Sequence, residues 1–282
     1  MVDLILISLI TILLGFILIL LIYFFQSGGI NAIKSSNKSP YFKPSFLILG
    51  ANNSGKTLYF YNLQQNDINI NQTISSIDPN FKEFILPFSN PAIGKKFQFV
   101  DYPGHLKYQN LFKNLLINDI TLNNIKGIIY MIDSSNSNWS DPINVENIVK
   151  YLYNLLSITE RKPNGVDFLF AINKSDLFDS LPPHKIKKIL EKELGKLIKN
   201  EITNVNKNSD LDKKSDFINN DDEDVNNNDT LREFWLGIIG SSDAEFTFDK
   251  LEGNMDFISG SVLKNKISQW ENWLDERVVN SS

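Results

Sequence analysis

From residue 45 onward, short apolar runs alternate with stretches of helical spacing. Runs at Phe46–Leu49, Phe81–Pro87, Phe97–Val100, Gly127–Asp133, Val166–Ile172 and Met255–Ser259 predict six strands. Helical patterns follow the first run to about Asn66, then recur near Leu106–Asn118 and over Val145–Ile158, His184–Lys199 and Val262–Val278. Strands punctuated by helices predict an α/β fold over residues 45–282, a six-stranded, mainly parallel sheet with helices on both faces. A short Ser89–Lys95 turn, containing Pro91 and Gly94, joins the second and third runs and predicts one antiparallel hairpin.

Two segments depart from this alternation. Leu4 to Phe25 is uncharged and apolar, and as a helix it would extend about 33 Å, enough to span a bilayer. A secretory signal would want a basic leader and a small-residue cleavage site, whereas the leader here is Met1-Val2-Asp3. The expectation is therefore a stub over 1–3, a transmembrane helix over 4–25 and a polar tether over 26–44. Lys34, Lys38 and Lys43 follow the span, which predicts a cytosolic domain. The second segment, about 200–230, is rich in Asn, Asp, Lys and Ser and includes Asp221-Asp222-Glu223-Asp224. It lacks the apolar area to order itself and is expected to be a disordered insertion within the domain.

Composition narrows the chemistry. The net charge of −5 gives no reason to expect sequence-specific nucleic-acid binding. With no cysteine there is neither a disulfide nor a thiolate metal site, and two histidines argue against zinc. The lysines of 184–199 form a basic face over an apolar stripe; a solvated surface is expected, with contact to membrane or ribosomal RNA as the alternative.

The sharpest chemical signal is Gly50-Ala51-Asn52-Asn53-Ser54-Gly55-Lys56-Thr57, which fits the phosphate-loop pattern G-x-x-x-x-G-K-[ST] between a predicted strand and helix. Gly50 and Gly55 let the backbone curl so that N–H groups point at phosphate oxygens. Lys56 is placed to reach β- and γ-phosphates, and the Thr57 hydroxyl to hold Mg²⁺. Asp101-Tyr102-Pro103-Gly104-His105 follows the third run; Asp101 would hold Mg²⁺ and the Gly104 N–H would touch a γ-phosphate. Asn173-Lys174-Ser175-Asp176 follows the fifth run and selects the base. Two acceptor oxygens on Asp176 match the paired N–H donors of guanine, a pattern adenine lacks. Asn173 can brace neighbouring loops, and the Lys174 stem can lie along the ring. Ser259-Gly260-Ser261 ends the sixth run, where a backbone N–H can meet guanine O6. Thr73 is expected to supply a second hydroxyl to Mg²⁺, with Ser75 and Ser76 as competitors.

This set of loops, GANNSGKT, QTISSID, DYPGH, NKSD and SGS, behind an N-terminal anchor, resembles the signal recognition particle receptor beta subunit family, membrane-spanning relatives of the Arf and Sar GTPases. Arf proteins are similar in their loops but carry a myristoylated Gly at position two, where this chain has Val2. The resemblance implies a Ras-like GTPase fold, GTP/GDP and Mg²⁺ as cofactors, and single-pass residence on the endoplasmic reticulum membrane with a lumenal stub. It also implies a heterodimer with the receptor alpha subunit, and indirect contact with signal recognition particle and ribosome. The usual Ser-Ala is replaced by Ser259-Gly260-Ser261. His105 stands where many small GTPases carry a water-orienting Gln, and imidazole can orient water or contact the partner. With no arginine finger identifiable, slow or partner-controlled hydrolysis is expected. An Arf- or Sar-like role in vesicle trafficking is the competing reading.

Overall fold

The computed structural model describes residues 15, 41–63, 73, 76–104, 112, 115–116, 120–211, 233–240 and 244–279, without the side chains of 203–211. The expected anchor, apart from Gly15, and all but the last four residues of the expected tether lie outside them. Among the described residues no helix is long and apolar enough to cross a membrane.

Six strands form one sheet: β1 (Ser45–Gly50), β2 (Asn80–Leu86), β3 (Lys95–Asp101), β4 (Ile125–Asp133), β5 (Phe168–Asn173) and β6 (Met255–Ser259). Their order is β2-β3-β1-β4-β5-β6, with β2 antiparallel to β3 and every other pairing parallel. The expected hairpin is thus β2–β3. Both neighbours of β1 come later in the chain, so connections leave β1 toward opposite sides and open a crevice at its carboxyl end. Open α/β sheets bind ligands at such a reversal.

The helices are α1 (Lys56–Asn62), α2 (Asn136–Ser140), α3 (Pro142–Thr159), α4 (Pro183–Leu211), α5 (residues 233–239) and α6 (Ser268–Val279). Strand residues alternate between two cores. Leu47, Leu49, Ile128, Tyr130, Phe168 and Phe170 face one, closed by α3, α4 and Trp235. Phe46, Ile48, Ile129, Met131, Leu169 and Ala171 face the other, closed by Tyr59 and Phe60 of α1 and by Trp270, Trp273 and Leu274 of α6. Asp141 caps α3 by accepting from the Ile143 N–H at 3.0 Å, and Pro142, with no N–H to satisfy, follows it.

Two expected boundaries need correction. The fourth helix does not stop at Lys199 but runs to Leu211, and its buried stripe of Ile186, Leu190, Leu194 and Ile198 continues to Ile202. The polar insertion therefore starts as helix, and its residues 212–230 lie outside the described residues. The last helix begins at Ser268 rather than Val262: Ser261 and Lys266 exchange backbone hydrogen bonds of 3.1 and 2.8 Å, closing a turn first. The helix expected near Leu106–Asn118 lies mostly outside the described residues, although Phe112, Leu115 and Leu116 are buried in the first core.

Candidate functional site

The loops after β1, β3, β5 and β6 converge at the reversal point around a cavity of about 420 Å³. Its lining includes Asn52, Asn53, Gly55, Lys56, Thr57, Thr73, Ser76, Gly104, Asn173, Lys174, Asp176, Leu177, Ser261 and Leu263. Residues separated by some 200 positions in sequence therefore share one wall.

The loop after β1 is shaped by its glycines. Gly55 sits at φ +98°, where L side chains are strained, and a Cβ there would run into the Asn173 amide. Gly104 packs against the same loop; a Cβ would lie 2.5 Å from the Gly50 carbonyl and 2.6 Å from Lys56 Nζ. Ala51 and Ser54 hold the curve from within, the Ser54 hydroxyl donating to the Ala51 carbonyl at 2.8 Å. Lys56 Nζ donates to that carbonyl too, at 2.7 Å. Burial pushes the Lys56 ammonium down to about 8, against the pull of Asp101.

Asp101 is fully buried, and burial pushes its carboxyl up from the ordinary carboxylate value, opposed by Thr57, Asn80, Lys56 and Ser76. Its Oδ2 accepts from the Thr57 hydroxyl at 2.8 Å and from Asn80 Nδ2 at 3.1 Å. Its Oδ1 has no hydrogen-bond partner among the described residues. Ser76 Oγ lies 3.2 Å from Thr57 Oγ1 and 3.4 Å from Asp101 Oδ2. Thr73 is exposed and lines the cavity but makes no such contact, and Ser75 lies outside the described residues; among these, the hydroxyl brought to Thr57 and Asp101 is that of Ser76. Thr57, Ser76 and Asp101 offer only oxygens to a ligand, and a buried carboxylate oxygen is left unsatisfied among the described residues, which fits a hard cation such as Mg²⁺.

At the other end of the cavity Asn173 ties two loops together. Its Nδ2 donates to the Ser54 carbonyl at 2.8 Å, and its Oδ1 accepts from the Val262 N–H at 3.0 Å. Asp176 Oδ1 accepts from the Ser261 hydroxyl at 2.6 Å, which orients the carboxylate. Lys174, at φ +64°, pairs with Asp133 at 2.6 Å. Of the residues expected at the base, Gly260 has its N–H engaged and Ser259 stands apart from the cavity. The Gly260 N–H donates to the Ile172 carbonyl at 2.8 Å, extending the β5–β6 ladder, and Ser259 is outside the cavity lining. Ser261 and Leu263 line the cavity instead. His105 lies outside the described residues.

Sequence reasoning missed Asn80, Ser261 as an orienting residue, and Leu263. A polar residue opening a strand carries no motif, and the turn after β6 read as helix.

A family model described as the signal recognition particle receptor beta subunit matches residues 41–255. The chain is 33% identical over 246 residues to signal recognition particle receptor subunit beta of Saccharomyces cerevisiae, covering 87% of this chain and 88% of that protein. It is 28% identical over 265 residues to the protein of the same name in Dictyostelium discoideum, covering 92% and 78%. Among solved structures it is similar to the mammalian SRP receptor, with TM-score 0.57, 21% identity and coverage of 83% and 99%. It is also similar to the SRb-GTP/SRX complex from Chaetomium thermophilum, with TM-score 0.55, 22% identity and coverage of 83% and 98%. These structures share the Ras-like small GTPase fold. A family model that spans most of the domain, together with a relative one third identical over nearly its whole length, shows that this chain belongs to the signal recognition particle receptor beta subunit family.

Proposed function

We propose that this chain binds guanine nucleotide and, when GTP is bound, recruits the receptor alpha subunit for co-translational targeting of ribosome–nascent chain complexes to the endoplasmic reticulum membrane. The observation that carries the reading is Asn173, which joins the phosphate-type loop to the base-type loop across one cavity and fixes the distance between them. Lys56, Thr57 and the N–H groups of residues 50–57 serve the phosphates. Asp176, oriented by Ser261, accepts from guanine, and Lys174 and Leu263 offer stem and apolar surface along the ring. In this reading the Ser261–Leu263 turn, rather than Gly260, borders the base, and Ser76 rather than Thr73 joins Thr57 at the cation.

Mg²⁺ would be held by Thr57, Asp101 and Ser76, and when bound it supplies positive charge against the phosphates. The chain's own residues position the phosphates; His105 is the candidate for orienting the attacking water. Hydrolysis is expected to be slow without a partner, so the nucleotide chiefly gates a binding surface. Residues 4–25 serve as the single-pass anchor, and their uncharged apolar run supports that role.

The test uses the full chain in detergent, loaded with a non-hydrolysable GTP analogue or GDP, as bait for membrane extracts. Recovery of the alpha subunit with the GTP analogue alone is expected. Recovery of coat or tether proteins instead would transfer the reading to vesicle trafficking.

A further inference from the structure

Asn80 opens β2 and stands in register with Asp101, the last residue of β3. Its amide reaches back into the site: Nδ2 donates to Asp101 Oδ2 at 3.1 Å and to Ser76 Oγ at 3.0 Å. The Thr57 hydroxyl donates to the same Oδ2 at 2.8 Å. With the Ser76 hydroxyl at 3.4 Å, three donors thus converge on one oxygen of a fully buried carboxylate, while Oδ1 is left bare among the described residues. Such a carboxylate cannot turn about its bond to the chain without breaking these hydrogen bonds, so Oδ1 is held in one direction.

We propose that Asn80 is a positioning residue for the bound cation: its amide pins Asp101 Oδ2 and so presents Oδ1 to Mg²⁺ or to a water on it. The proposal rests on the nucleotide and Mg²⁺ reading given above. The residue type follows from electrostatics. A lysine at this place would cancel the charge Asp101 offers a cation, and an aspartate would add a second buried negative charge beside the first. Asparagine supplies a donor with no net charge. Because Asn80 is fixed by strand pairing, the register of the β2–β3 hairpin sets the geometry of the cation site. The amide also binds Ser76, so one side chain orders both the carboxylate and the neighbouring hydroxyl.

The experiment follows release of a fluorescent GDP analogue from the full chain across a Mg²⁺ titration that ends in excess EDTA. Wild type is compared with Asn80→Ala and with Asn80→Val, which keeps a strand-forming residue and carries the test should the alanine variant not fold. Release from wild type should slow as Mg²⁺ rises. Losing a hydrogen bond to a charged group should move the Mg²⁺ midpoint about tenfold upward in the variants, with release in EDTA staying within about twofold of wild type. An unmoved midpoint, or a midpoint and an EDTA rate that change together, would show that Asn80 serves only the strand end and would overturn the proposal. Wild-type release indifferent to Mg²⁺ would overturn the nucleotide and cation reading beneath it.

Discussion

At the scale of single residues, the site is a set of polar side chains that each satisfy more than one constraint. Asn173 is buried, donates to one loop and accepts from another, so it acts as a spacer as much as a contact. Asp176 has one oxygen engaged by Ser261 and the pattern of acceptors that guanine requires. Asp176→Asn replaces an acceptor with a donor. GTP affinity should fall by at least about a hundredfold, as expected when a site built to hydrogen-bond loses its match, while xanthosine triphosphate should gain. Equilibrium competition between the two nucleotides measures this, and unchanged GTP affinity would remove Asp176 from the base site. The residues NKSD and GANNSGKT were legible in the sequence because each carries a fixed spacing with a chemical reason. Ser76 was not separable from Thr73 in the sequence, since neighbouring hydroxyls look alike until the backbone fixes which one reaches Asp101.

Elements were legible where their periodicity was strong. All six expected strands formed, and the pairing of β2 with β3 followed from the short turn between them. Helix ends were less legible. Ile202 extends the buried stripe of α4 into residues whose composition reads as polar insertion, and burial against the core outweighs that local composition. The segment 233–239 was not expected to be an element at all. Yet Trp235, 1% exposed, stacks on Tyr153 of α3 at 5.3 Å between ring centroids and meets Phe246 edge-on at 6.2 Å. It returns the chain from the insertion to the first core. Trp235→Ala should therefore destabilise the domain by about 3–5 kcal/mol, through lost burial and the cavity left behind. Denaturant unfolding measures this, and a change below about 1 kcal/mol would mean that α5 is dispensable to the core.

At the scale of the molecule, the reversal of strand order at β1 brings together the ends of β1, β3, β5 and β6, and ligand binding should stabilise that assembly as a whole. A ligand that binds only the folded chain, at about a hundred times its dissociation constant, adds about 2.7 kcal/mol. GTP or GDP with Mg²⁺ should raise the melting temperature by several degrees, and ATP at the same concentration should not. Thermal unfolding of the full chain reads the difference; equal shifts with ATP would mean that the base is not selected. The anchor over 4–25 and the acidic part of the insertion remain expectations of the sequence, because they lie outside the described residues. What the sequence by itself determined was whatever depends on local order: the phosphate-type loop, the base-type motif, the alternation of strand and helix, and the family these jointly indicate. What only the tertiary structure decided was which residues meet across the sheet. Asn80 beside Asp101, Asn173 between Ser54 and Val262, and Ser261 in place of Gly260 all follow from strand register and from where buried hydrogen bonds must close. Those pairings span up to 119 residues, and no local pattern encodes a distance that the folding of the whole sheet sets.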